Sequence, residues 1–88
     1  MFPDKLDNAK VLYYTSRNEY RVSVEPDGGP RVEICYLAIC KYDGSPEYYL
    51  FECNGDCEVE FDYECESVKE CMSFAGNLSS CDIVWIKK

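Results

Sequence analysis

Cys57-Glu58-Val59-Glu60-Phe61-Asp62-Tyr63-Glu64-Cys65-Glu66 alternates without a break between acidic and apolar or thiol residues. A period of two is the signature of a β-strand with one wet face and one buried face. On that reading Val59, Phe61, Tyr63 and Cys65 point to a core, and Glu58, Glu60, Asp62, Glu64 and Glu66 point the other way. Alternate residues on a strand lie roughly 6.7 Å apart, so the five carboxylates form a ladder of like charge. Water and salt weaken their repulsion without abolishing it. Strands disfavour Asp and Glu, and a solvated strand face is ordinarily mixed with Thr or Lys. This face has neither. Two readings follow: a plain solvated face, or a docking surface that steers a cationic partner.

Turn signals bracket this strand and recur before it. Asn54-Gly55-Asp56 precedes it, and Asn-Gly is a preferred pair for a tight hairpin. Asp43-Gly44-Ser45-Pro46 and Pro26-Asp27-Gly28-Gly29-Pro30 are further breakers. The runs between them are rich in Tyr, Val, Ile and Phe and predict strands over Lys10–Thr15, Tyr20–Glu25, Arg31–Tyr42 and Glu47–Cys53. Ile34 to Cys40 is apolar at every position and predicts a central strand covered on both faces. Short connections favour sequential antiparallel pairing, hence a meander.

Downstream of the ladder the period changes. Ser67 with Glu70 three residues later reads as a capping box. Val68, Cys71, Met72, Ala75 and Leu78 then recur at helical spacing, and Gly76-Asn77 reads as the stop. A last strand is expected over Asp82–Lys87. The fold class is therefore α+β: an antiparallel five- or six-stranded meander sheet with one helix, about residues 67–78, packed on one face. Residues 1–88 read as a single domain, with the unpatterned residues 1–9 as a flexible arm.

Composition narrows the function. An apolar content of 47% excludes a generic disordered tail. No stretch approaches the ~20 apolar residues of a membrane-spanning helix, and the N-terminus lacks the pattern of a signal peptide. A cytoplasmic chain with no membrane partner is the expectation, and its seven cysteines are expected to be reduced, buried thiols. Residues 52–70 hold eight acids and one base out of a net charge of −8. That concentration argues against direct nucleic-acid binding and for a basic protein partner.

Catalytic and metal chemistry find little footing. The chain has no histidine, the commonest general base, and no phosphate-binding glycine loop or nucleophile elbow. The acidic field around Cys53–Cys71 would raise thiol pKa values, so a cysteine nucleophile is disfavoured. Cys53, Cys57, Cys65 and Cys71 contain no C-x-x-C, and Cys57 and Cys65 would lie roughly 27 Å apart on one strand, too far to share zinc. A straight ladder diverges where calcium needs converging oxygens. The expectation is a non-enzyme with no cofactor and no metal. Tyr48 and Tyr49 are adjacent, so one of them should face solvent or a partner.

Tyr48-Tyr49-Leu50-Phe51-Glu52-Cys53, the acidic strand, Glu66-Ser67-Val68-Lys69-Glu70 opening a helix, and a closing strand with Trp85 together resemble small acidic immunity proteins of bacterial polymorphic-toxin systems. The resemblance covers about residues 47–87, and the cysteine content departs from it. It implies a stoichiometric inhibitor that binds a toxin or nuclease through Glu58, Glu60, Asp62, Glu64 and Glu66, with Tyr48 and Tyr49, and occludes its site. Phage-encoded inhibitors of host defence nucleases share the size and acidity. An expectation of another class is a structural or self-assembly module, such as a homodimer paired through a sheet edge.

Overall fold

The computed structural model describes residues 2–24 and 28–88. Glu25 and the Pro26-Asp27 part of the first turn signal lie outside the described residues. The chain is α+β, a curled antiparallel sheet with one helix packed against it. Its strands are β1 (Lys5–Leu6), β2 (Ala9–Tyr14), β3 (Arg21–Val24), β4 (Arg31–Ile34), β5 (Tyr36–Lys41), β6 (Tyr48–Cys53), β7 (Val59–Cys65) and β8 (Ile86–Lys87). The helix α1 spans Val68–Leu78. The main sheet runs in the order β1-β2-β5-β6-β7, with β8 also paired to β2. β3 and β4 form a separate two-stranded ribbon.

The meander is thus interrupted. The expected strand Arg31–Tyr42 is two strands serving two sheets, with the chain turning at Cys35. Cys35 still satisfies its backbone: its N–H donates to Cys53 O at 2.9 Å and its carbonyl accepts from Asn18 N at 3.0 Å. Period alone could not reveal the break, because Ile34 to Cys40 is apolar on either side of it.

The expected N-terminal arm is part of the fold. Phe2, Leu6 and Ala9 are buried, and β1 pairs β2 with Leu6 opposite Ala9. Asp7 and Asn8 make the two-residue turn with positive φ at both (48° and 69°). Asp and Asn tolerate that left-handed region, as the tightest hairpins require.

Each sheet face carries its own core. On one, Phe2, Leu6, Ala9, Val11, Ala38, Cys40, Phe51 and Cys53 pack together. On the other, α1 lays Cys71 and Ala75 against Ile39, Leu50 and Cys65, flanked by Val68, Met72, Phe74 and Leu78. The central strand is covered on both faces, as its unbroken apolar run demanded. Ser67 caps the helix by accepting from Glu70 N at 3.0 Å. The helix passes through Gly76 and Asn77 and stops at Leu78, where Ser79 N donates to Ala75 O. Leu78 packing on the core outweighs the stop signal of Gly76-Asn77. Only Ile86–Lys87 of the expected last strand pairs, and it pairs β2.

The seven cysteines are free thiols, five buried and two, Cys57 and Cys81, half-buried. A water-soluble thiol reagent is expected to modify two sites rapidly in the native protein and all seven after denaturation. Rapid reaction of all seven would show that the cores open readily. Burial pushes the Cys40 and Cys53 thiols up to about 12, from an ordinary value of 9.0. Between those values the unfolded chain has lost protons that the native chain keeps. Stability is therefore expected to be full below about pH 9 and to fall as the pH rises toward 12. Urea midpoints measured across that range check it.

Candidate functional site: the acidic edge strand

β7 is the last strand of the sheet, and among the described residues no strand pairs its outer edge. Glu58, Glu60, Asp62, Glu64 and Glu66 are all exposed. Asp62 lies opposite Phe51 and Glu64 opposite Tyr49 across β6, so these acids share the face of the N-terminal core. Beyond the edge, Asp62, Tyr63, Glu64, Cys65, Glu70 and Phe74 line an open depression of about 430 Å³ between strand and helix.

The ladder is not uniform. A bulge lies between the pairs Glu52–Phe61 and Cys53–Val59, and Glu60 is the unpaired extra residue. The bulge resets the parity: Val59 packs on the N-terminal core, while Phe61, Tyr63 and Cys65 pack on the helix side. The expectation that these four share one core is corrected to that extent. Cys57 also falls outside the strand, in the turn, and packs on the N-terminal core away from Cys65.

The turn at 54–58 ties down two of the five acids. Asn54 Oδ1 accepts from Asp56 N and Glu58 N at 2.9 and 3.0 Å. Its Nδ2 donates to Glu58 Oε1 at 3.1 Å and Glu60 Oε2 at 2.7 Å. Among the described residues, Asp62, Glu64 and Glu66 have no side-chain hydrogen bond or ion pair. Three carboxylates are therefore free to meet a partner, and two are already bridged by one amide.

A Cβ at Gly55 would lie 2.8 Å from the exposed Arg17 guanidinium, which donates to Gly55 O and would have to swing aside. The left-handed residue of the turn is Cys57, at φ 62°. A non-glycine residue in that region costs about 1 kcal/mol or more. Cys57→Gly is expected to raise stability by up to about 1 kcal/mol in urea denaturation. A loss would show that the Cys57 side chain's packing outweighs the backbone strain.

Tyr49 and Tyr48 part company. Tyr49 sits beside Glu64, edge-on to Tyr42 at 5.3 Å, and partial burial followed by the Glu64 charge pushes its phenol up. Tyr48 is on the helix face under Lys41, whose Nζ lies 5.1 Å from the ring centroid. Tyr49 belongs with the ladder; Tyr48 does not.

Directly beneath the ladder is a group that sequence reading counted only as one more acid. Glu52 is fully buried on the helix face of β6. Arg21 donates to both its oxygens, Nε to Oε2 at 3.0 Å and Nη2 to Oε1 at 2.5 Å. Tyr63 Oη donates to Oε1 at 3.0 Å. The Arg21 guanidinium also lies 5.1 Å from the Phe61 ring centroid. This cluster joins the ribbon to the ladder strand, because Arg21 is on β3 while Phe61 and Tyr63 are on β7. The available signal was the parity of Glu52 between Phe51 and Cys53, but its partner stands 31 residues away.

Among the described residues no group of three Cys, Asp or Glu side chains is placed to hold a metal ion. Among the described residues no helix is long and apolar enough to cross a membrane. No protein-family model matches this chain, and no curated protein or solved structure matches it.

Proposed function

We propose that the β7 edge is a docking surface for a basic protein, and that the chain is a stoichiometric inhibitor rather than an enzyme. One observation carries this reading. Asp62 and Glu64 on β7, and Glu66 one residue past its end, stand exposed and without an ion pair among the described residues, and the outer edge of β7 pairs with no strand among them. A strand in that position offers backbone hydrogen-bonding groups and charge at once, as β-strand addition uses them. A row of carboxylates can stand in for a row of phosphates, so a toxin or nuclease with a nucleic-acid groove is the partner class. Occlusion of that groove is the mechanism, in a reducing cytoplasm where the thiols stay free. An immunity protein and a phage-encoded inhibitor would both work this way.

A homodimer through β7 is the other use of a free edge. It would bring two carboxylate ladders to about 4.8 Å, and directly opposed like charges destabilise a strand pair. Acidic edges of this kind discourage self-pairing, which favours a partner of opposite charge.

The test is capture from the source cells on tagged protein, with stepwise salt elution and mass spectrometry. A basic protein released near physiological-to-moderate salt, which then binds purified chain one-to-one and loses its activity, is the expected result. Recovery of nothing, or of the chain alone, would remove electrostatic docking as the main function.

A further inference from the structure

Strand pairing assembles a second charged surface, of opposite sign, from residues far apart in sequence. Lys5 stands opposite Lys10 across β1 and β2, and Lys10 stands opposite Lys41 across β2 and β5. Directly opposed residues point to the same side of a sheet, so the three ammonium groups form a row. Strands are about 4.8 Å apart, so the row spans only about 10 Å. Lys87, opposite Tyr13 on β8, lies on the same face. None of the four lysines has an acidic partner within ion-pair distance among the described residues. This is unlike the chain as a whole, in which acids outnumber bases 17 to 9. Opposed like charges destabilise a strand pair, and an acid at any of these positions would have relieved them.

Beside the row is a cleft of about 370 Å³, within the size range of small-ligand sites. Lys10, Tyr13, Tyr48, Val68 and Lys87 line it, with Lys88. The Lys88 ammonium is already engaged by Phe2 O at 2.7 Å and Asp4 Oδ1 at 3.1 Å. Cations at one end and two half-buried tyrosine rings along the wall match a ligand that is a compact polyanion with a flat or apolar remainder. We propose that Lys5, Lys10, Lys41 and Lys87 form a binding site for an oligophosphate, with Tyr13 and Tyr48 flanking any base attached to it. A long nucleic acid is disfavoured, because the net charge of −8 repels it while a short polyanion can seat locally. The site is on the helix face and uses none of the ladder carboxylates, so it stands independently of the proposed inhibitor function.

The experiment is a titration of the purified full chain at low ionic strength with inorganic tripolyphosphate and, separately, with adenosine triphosphate. Amide and lysine side-chain NMR shifts report the site. Saturable one-to-one binding is expected, with shifts centred on Lys5, Lys10, Lys41 and Lys87. Lys10→Gln with Lys41→Gln is expected to weaken it about tenfold or more, with circular dichroism unchanged. Arg31→Gln, on the ribbon, is expected to leave it unaltered. Tighter binding of adenosine triphosphate, lost in Tyr48→Leu, assigns the site to nucleotides; equal binding of the two probes assigns it to inorganic oligophosphate. Absence of saturation, or equal weakening by the Arg31 and lysine variants, overturns the proposal.

Discussion

Arg21→Ala is expected to destabilise the protein by about 3 kcal/mol, read as a fall in the urea midpoint at constant slope. Glu52 is fully buried, and Arg21 supplies two of the hydrogen bonds to its carboxylate. Without Arg21 the charge stays in the interior with the Tyr63 hydroxyl as its remaining partner. Removing one member of a buried pair typically costs about 3–5 kcal/mol, because an uncompensated charge remains. Native domains hold only about 5–15 kcal/mol in total, so this one change takes a large share. Arg21→Met combined with Glu52→Leu should recover most of the loss, since it removes both charges and keeps the volume. The contrast is the Arg31–Glu33 pair at 3.5 Å, both of whose side chains are more than 60% exposed. Arg31→Ala is expected to cost less than about 0.5 kcal/mol. Equal costs for Arg21→Ala and Arg31→Ala would mean that water reaches Glu52 and that the cluster does not hold the ribbon to β7.

The charge-reversed variant Asp62→Lys, Glu64→Lys, Glu66→Lys is expected to bind the proposed basic partner about a thousandfold more weakly, measured by calorimetry at physiological salt. Each reversal replaces an attraction with a repulsion, and coupling between close charge pairs across interfaces reaches about 1.5 kcal/mol and above. These three acids are the right choice because, among the described residues, no side-chain hydrogen bond or ion pair uses them. Reversing Glu58 or Glu60 would also break the Asn54 bridges and confuse binding with turn stability. The thermal midpoint of the variant is expected to hold or rise, since repulsion along β7 is relieved. Unchanged affinity would locate the partner elsewhere and return the ladder to the role of a solvated edge.

Much of the fold was legible from local period alone. β7 and α1 lie within the segments where alternation and helical spacing placed them, although the bulge divides the apolar side chains of β7 between the two cores. β1 escaped notice because its two residues are too short to show a period, and its signal was the Asp7-Asn8 turn. The turn at Cys35 escaped because an unbroken apolar run carries no mark of where one strand ends. The bulge at Glu60 escaped because alternation continues through it in sequence while the pairing skips a residue.

By itself the sequence determined that a strand edged with carboxylates would exist and that its acids would meet water. Charge and alternation are properties of neighbours in the chain, and burial of any of those acids without a partner is too costly to compete. Only the tertiary structure decided that β7 is a free edge, that Glu52 is buried against Arg21, and that Lys5, Lys10 and Lys41 line up. Those outcomes depend on strand order and register, which are set by packing between segments far apart in sequence.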